Sequence, residues 1–220
     1  MKELDCIEID TNSNPDAAVI WLHGLGASGD DFVPAVQALD LPQTAGIRFI
    51  FPNAPEIPVT INGGMIMPAW YDILEMGLDR KVDHAQIQES AQAVSDIIER
   101  EMSRGISSNR IIIAGFSQGG AVGYEVVLSF PHTLGGFIAM STYLATAGNI
   151  TLNPANAKLP IHIFHGTADP VVPVALGEKA KEQLEAMGYA PGYTAYPMDH
   201  TVCLEEIEVT SGLLWEWLGL

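Results

Sequence analysis

Residues 111–119 read Ile-Ile-Ile-Ala-Gly-Phe-Ser-Gln-Gly, an apolar, β-branched stretch that passes straight into Gly115-Phe116-Ser117-Gln118-Gly119. This is the G-x-S-x-G pattern of a strand–turn–helix elbow, which holds a serine strained at the tip of a sharp turn. The flanking glycines remove side chains that would collide with the neighbouring strand and helix. The helix that follows aims free N–H groups back at the turn. A serine held there can attack a carbonyl carbon, given a base for its proton and donors for the oxyanion. The pentapeptide alone is weak. With Gly and Ser each at roughly 7% of residues, it arises by chance in on the order of one chain in ten of this length. Context strengthens it: 111–113 are apolar and β-branched, 118–129 is rich in Ala, Val and Leu, and Pro131 lies just beyond.

A base and its orienting carboxylate follow in sequence. The apolar run 161–164 leads into His165-Gly166-Thr167-Ala168-Asp169-Pro170, and the run 193–196 leads into Pro197-Met198-Asp199-His200. The order Ser117, Asp169, His200 is one of the known chain orders of a nucleophile–acid–base set. His200 would accept the Ser117 proton, because a free hydroxyl is a poor nucleophile. Asp169 would fix the imidazole tautomer and stabilise the imidazolium. An aspartate before proline is ordinarily a turn former, and with six histidines one after a strand is unremarkable. All three in order, each directly after a strand, is the informative coincidence. The oxyanion needs two N–H donors: that of Gln118, next to the nucleophile, and one from the loop after an early strand. The run 19–22 ends in His23-Gly24-Leu25-Gly26, which makes the Leu25 N–H the second donor. His23 is read as a loop-orienting residue rather than the base.

The elements that must position these groups alternate. Strands are expected at 19–22, 48–51, 111–114, 137–140, 161–164 and 193–196. Between them lie helical stripes: Phe32, Val36 and Leu39; Ile87, Ala91, Val94 and Ile98; 118–129; Leu176, Ala180, Leu184 and Met187, closed by Gly188; and Leu204, Ile207, Leu214 and Leu218. Asp83 with Gln86 resembles a capping box opening the second stripe. Such alternation predicts an α/β fold with a mostly parallel sheet covered on both faces, with 6–9 as an antiparallel edge strand. Sites in open α/β sheets lie at the carboxyl ends of strands, where Ser117, Asp169, His200 and the Leu25 loop all fall.

At 220 residues the chain fits a single domain, 1–220, with a substantial core. Twenty-seven acidic against ten basic side chains give a formal charge of −17, which repels nucleic-acid phosphate and anionic lipid headgroups. No apolar run reaches the roughly 18 residues of a membrane span, and the N-terminus lacks the pattern of a signal peptide. Stable membrane insertion and nucleic-acid partners are therefore not expected. Cys6 and Cys203 are read as two free thiols in a reducing cytoplasm. His162 and His165 fall on opposite faces of a strand, so no metal site is assigned.

The motifs taken together resemble the carboxylesterase / acyl-protein thioesterase / lysophospholipase family of small α/β hydrolases, and most of all its bacterial carboxylesterases. The resemblance is carried by 21–26, 58–64, Met67-Pro68-Ala69-Trp70-Tyr71-Asp72, 114–120, Ser141-Thr142-Tyr143 and Tyr196-Pro197-Met198, spread over nearly the whole chain. It implies an α/β-hydrolase fold, hydrolysis of short-to-medium acyl carboxylic esters through a covalent acyl-enzyme, no cofactor, and a small-molecule ester as substrate. Acyl-protein thioesterase or lysophospholipase activity is the alternative, since thioesters and oxygen esters pass through similar tetrahedral intermediates. The resemblance also leaves a homodimer open, which no feature of the sequence itself requires. One departure stands out: the family usually carries glycine before the catalytic histidine, and this chain has Asp199, which would either favour the imidazolium or point to solvent.

The substrate side rests on 52–80, a long stretch between elements that is too apolar for disorder. Met65, Ile66 and Trp70, with Val172 from the Asp169 loop, are assigned to an acyl-binding groove, although Trp70 also reads as a core residue. Only some twenty residues separate Met140 from Ile161, which leaves no room for a large lid domain.

Overall fold

The computed structural model describes residues 3–220. In chain order its elements are β1 (Cys6–Asp10), β2 (Ala17–Leu22), α1 (Val33–Ala38), β3 (Ile47–Pro52), β4 (Glu56–Val59), β5 (Met65–Pro68), β6 (Ile73–Glu75), β7 (Lys81–Val82), α2 (His84–Ser103), β8 (Ile111–Phe116), α3 (Gln118–Ser129), β9 (Gly136–Met140), β10 (Ile161–Gly166), α4 (Val174–Ala186), β11 (Gly192–Tyr196) and α5 (Leu204–Leu218). Seven strands form one sheet in the order β1-β3-β2-β8-β9-β10-β11. All pairs are parallel except β1 with β3, which is antiparallel. The expected edge strand is therefore present.

Strand periodicity divides the core into two layers. Ile111 and Ile113 of β8, with Ala18, Ile20 and Leu22 of β2, pack with Ile87, Val94 and Ile98 of α2 and with α3 and α4. Their neighbours Ile112 and Ala114, with Val19 and Trp21, face α1 and α5 through Leu39, Ile207 and Leu214. A strand of period two that is apolar at every position can only be covered on both faces. The α3 helix departs from an amphipathic pattern, with Gln118 to Leu128 buried throughout. It is enclosed by β8, β9 and α2.

Strand order determines where the site must lie. From β2 the chain runs outward to β3, then crosses back to β8 on the other side of β2. The β2–β8 border is thus a switch point, where the loops leaving adjacent strands diverge and open a crevice. Leu22 pairs with Gly115 there, which sets His23 beside the elbow.

Two features depart from the sequence reading. The stretch 52–80 is not one irregular loop: it holds a small ribbon, β4 with β5, and then β6, which pairs with β7 just beyond it. Asp83 caps α2 by accepting the Gln86 N–H at 3.1 Å, but the Gln86 side chain does not return the bond. Its Oε1 accepts the Asp72 N–H at 2.7 Å and ties the β5–β6 connection to the helix instead.

Candidate active site

Ser117 sits between β8 and α3 with φ 54° and ψ −118°, a left-handed backbone that strains a side chain-bearing residue. Its N–H donates to the Met140 carbonyl at 2.9 Å, and its own carbonyl accepts the Thr142 hydroxyl at 2.6 Å. Both bonds anchor the turn to the residues that end β9. The glycines have the predicted role. A Cβ on Gly115 would lie 2.7 Å from Gly120 Cα, and one on Gly119 would lie 2.5 Å from the His23 carbonyl oxygen and 2.6 Å from that of Leu22. The second contact matters most, because it lets α3 begin directly against the end of β2.

His200 Nε2 lies 2.9 Å from Ser117 Oγ. Its Nδ1 lies 2.7 Å from Asp169 Oδ2. With Nδ1–H donating to the carboxylate, Nε2 carries the lone pair that faces the hydroxyl. Asp169 is enclosed, and its other oxygen accepts the N–H groups of Val171 and Val172, each at 2.8 Å. These bonds orient the carboxylate so that its second oxygen faces His200. The His200 loop is held against the Asp169 loop by the Thr167 N–H to the Tyr196 carbonyl at 2.8 Å and the Ala168 N–H to the Met198 carbonyl at 3.1 Å. The Phe116 ring packs on the imidazole, with centroids 4.7 Å apart. His165, fully buried, donates from Nε2 to the Val172 carbonyl at 2.8 Å, and burial lowers its pKa, so it is a neutral brace under the Asp169 loop.

Leu25 stands next to this set. A Cβ on Gly24 would lie 3.2 Å from the Phe116 ring and 3.5 Å from Ser117 Cβ, so the Gly24–Leu25 backbone runs directly across the nucleophile. Among the described residues no loop, turn or side-chain acceptor takes the Leu25 or Gln118 N–H. His23 behaves as a brace. It is fully buried, its Nδ1–H donates to the Gly24 carbonyl at 2.7 Å, and its Nε2 accepts the Ala54 N–H at 3.0 Å. Burial lowers its pKa, which keeps it neutral in that tautomer. Asp199 is exposed and its carboxylate makes no ion pair with His200. Only its backbone carbonyl is engaged, by the Thr201 N–H at 3.0 Å.

The serine opens onto a cleft of about 550 Å³ walled by Leu25, Ile61, Ile73, Met76, Phe116 and Val171 among others. The four groove residues assigned from sequence are not among its lining. Trp70 is 1% exposed. Its indole N–H donates to the His23 carbonyl at 2.8 Å, its backbone N–H donates to Gln118 Oε1 at 2.8 Å, and the Gln118 amide donates to the Tyr71 carbonyl at 2.6 Å. It therefore ties the Leu25 loop to the start of α3 from behind. Val172 is 1% exposed, because the turn closed on Asp169 buries it and leaves its neighbour Val171, 42% exposed, on the cleft wall. Met65 and Ile66 are 63% and 66% exposed on β5, whose only strand partner is β4. Ile61, in the turn of that ribbon, reaches the cleft in their place. Sequence reasoning also passed over Ile73, Met76 and Tyr143. Tyr143 had a signal, since it follows β9 just as the other site residues follow their strands. Residues 141–160, between β9 and β10, carry only a single 3₁₀ turn at Pro154–Asn156, so no lid is inserted there.

The sequence profile of the phospholipase/carboxylesterase family matches residues 4–217. The chain is 41% identical over 213 residues to a protein of Neurospora crassa named acyl-protein thioesterase 1, covering 92% of this chain and 87% of that one. Among solved structures, Arabidopsis thaliana SOBER1 superposes with a TM-score of 0.86 at 30% identity, over 92% of this chain and 99% of that one. Zea mays acyl-protein thioesterase 2 superposes with a TM-score of 0.85 at 25% identity, over 98% and 99%.

Proposed function

The chain belongs to the phospholipase/carboxylesterase family of α/β hydrolases, and from that premise we propose that this serine hydrolase is an acyl-protein thioesterase acting through Ser117, His200 and Asp169. One observation carries the mechanism: the Asp169–His200–Ser117 chain of contacts, at 2.7 and 2.9 Å, beside two backbone N–H groups and an apolar cleft. Ser117 Oγ attacks the acyl carbon while His200 Nε2 takes its proton. The N–H groups of Leu25 and Gln118 receive the oxyanion, which is worth about 2.7–4 kcal/mol per donor. The tetrahedral intermediate collapses, the carbon–sulfur or carbon–oxygen bond breaks, and His200 returns the proton to the leaving group. Water, deprotonated by His200, then attacks the acyl-serine; the acyl–Oγ bond breaks, His200 returns the proton to Ser117 Oγ, and the acid leaves. A thiolate, with a thiol pKa of about 8.5, leaves with less help from that proton than an alkoxide does.

The thioesterase reading is supported by the names of relatives at 35–41% identity and by a cleft wall that is mostly apolar and unlidded. Hydrolysis of short-to-medium acyl carboxylic esters, or of lysophospholipids, uses the same steps and is the second reading, favoured by the openness of the site. No helix of the described residues is long and apolar enough to cross a membrane. Cys6 and Cys203 are unbonded, which fits the reducing cytoplasm as the compartment.

The test is a chain-length series of p-nitrophenyl esters from acetate to palmitate, with a palmitoyl thioester and a lysophospholipid alongside, for wild type and Ser117→Ala. The expected result is highest kcat/KM on the thioester, abolished in the variant. A peak at short oxygen esters would replace the thioesterase reading with the carboxylesterase one. Activity that survives Ser117→Ala would overturn both.

A further inference from the structure

Nine Lys and Arg lie within residues 3–220. Six of them, Arg48, Lys81, Arg100, Arg104, Arg110 and Lys181, pair with carboxylates. Three are unpaired among the described residues: Arg80, Lys158 and Lys179. Two of those three, Arg80 and Lys179, line a single pocket of about 330 Å³ together with Tyr143 and Gln183. Arg80 and Tyr143 also line the Ser117 cleft, so the pocket and the cleft share a wall. On a chain of charge −17, with carboxylates enough to pair every cation, this placement is conspicuous. Asp79 lines the pocket too and pairs with neither cation, which leaves a local excess of positive charge.

Arg80 is held in place without being used up. Its guanidinium lies 4.4 Å over the Tyr143 ring centroid, and one Nη2 hydrogen goes to the Val171 carbonyl at 2.9 Å. The Tyr143 hydroxyl is fixed in turn by that of Tyr71 at 2.7 Å. A guanidinium has five N–H donors in a rigid fork. The Nε–Nη2 side is engaged, since Nε also donates to the Gly77 carbonyl at 3.5 Å, and stacking leaves the Nη1–Nη2 edge, which matches the two oxygens of a carboxylate or phosphate.

We propose that Arg80 and Lys179 form an anion subsite beside the Ser117 cleft, which selects esters and thioesters carrying a carboxylate or phosphate close to the scissile bond. The proposal rests on the cleft being the reaction site. It concerns substrate choice rather than the chemical step, and it offsets the repulsion that so acidic a protein otherwise exerts on an anionic substrate.

The test uses two matched pairs at 0.05 M salt. Mono-p-nitrophenyl glutarate against p-nitrophenyl butyrate puts the anion on the acyl side. Hexanoyl lysophosphatidic acid against monohexanoylglycerol puts it on the alcohol side. The readout is the kcat/KM ratio of anionic to neutral substrate in wild type, Arg80→Gln, Arg80→Lys and Lys179→Gln. The wild-type ratio is expected to exceed one in at least one pair, and that pair identifies the side on which the anion enters. It is expected to fall about tenfold in Arg80→Gln, the worth of a hydrogen bond to a charged group, and about threefold for the exposed Lys179. Arg80→Lys retains part of the preference, and 0.5 M salt erodes it. Ratios at or below one in both pairs, or ratios unmoved by Arg80→Gln and Lys179→Gln, overturn the proposal. Because Lys179 is exposed, its variant keeps the test decisive if Arg80→Gln does not fold. Neutral esters cleaved at wild-type rate by Ser117→Ala would instead show that the cleft is not the reaction site, and the subsite would fall with it.

Discussion

Replacing Trp70 with phenylalanine separates a residue that touches substrate from one that braces the oxyanion loop. The substitution keeps an aromatic ring in the core and removes the indole N–H that donates to the His23 carbonyl at 2.8 Å. That carbonyl belongs to the peptide leading into Gly24, one residue before the Leu25 N–H. A buried acceptor left without its donor costs about 1–3 kcal/mol, and the smaller ring adds on the order of 1 kcal/mol of unfilled volume. The sum, about 2–4 kcal/mol, is within the usual stability of a folded domain, so the protein is expected to fold with Tm lowered by roughly 4–16 °C. Deleting an oxyanion donor outright costs 10²–10³ in turnover. Trp70→Phe loosens the donor rather than deleting it, so kcat should fall about tenfold. The drop should be the same for acetyl and longer esters, with KM nearly unchanged. Kinetics across the p-nitrophenyl series, beside a thermal melt, decide the matter. An unchanged kcat with a KM that climbs with acyl length would refute the bracing role and return Trp70 to the groove.

Ser117→Gly should be inactive yet more stable than wild type by about 1 kcal/mol, since glycine relieves the positive φ; a lowered Tm would show that the elbow is not strained. Asp169→Asn should keep the fold and lose on the order of 10⁴ in kcat, as a misassigned imidazole tautomer does in other triads, and a loss under tenfold would point to another orienting group. Glu206 is fully buried with neither oxygen hydrogen-bonded, and burial raises its pKa to about 8. A folded-state pKa above the unfolded one means that protonation stabilises the fold, so its contribution is complete at pH 4 and declines as pH rises toward 8. Relative to Glu206→Gln, wild type should therefore lose on the order of a few kcal/mol between pH 5 and pH 8 in urea titrations. Parallel pH profiles for the two proteins would mean that this carboxyl does not titrate in that window.

The reacting groups were legible because each has a local address. Ser117, Asp169, His200 and Leu25 each follow a strand whose apolar run is visible in sequence, and an α/β sheet gathers its strand ends at one edge. The substrate wall had no such address. Strands of two to four residues such as β6 and β7 are too short to display a period, so 52–80 reads as a loop, and which of its apolar side chains face the cleft depends on how the ribbons dock. The alternation that would separate Val171 from Val172 is lost in a turn closed by a side chain, where Asp169 takes both N–H groups. Trp70 misleads for a related reason: an indole in an apolar stretch has the same composition whether it meets an acyl chain or a carbonyl oxygen. Gln86 shows the limit for polar residues, because its capping partner was visible three positions away and its actual partner, Asp72, was not.

Charge and strain meet at the same switch point from opposite directions. The β2–β8 border brings Leu22 opposite Gly115, and Gly119 lets α3 press on the carbonyls of Leu22 and His23. The nucleophile turn and the oxyanion loop therefore cannot move independently. His23, Trp70 and Gln118 then form a chain of hydrogen bonds behind both. These braces are neutral, so their hydrogen bonds are insensitive to the protein's large negative charge. Substrate selection is not, because an ester approaching a chain of charge −17 meets a repulsive field if it is anionic and none if it is neutral. A reaction centre held by neutral braces beside two unpaired cations separates the two tasks. The backbone geometry sets how fast an acyl group is transferred, and Arg80 with Lys179 sets which acyl donors reach it.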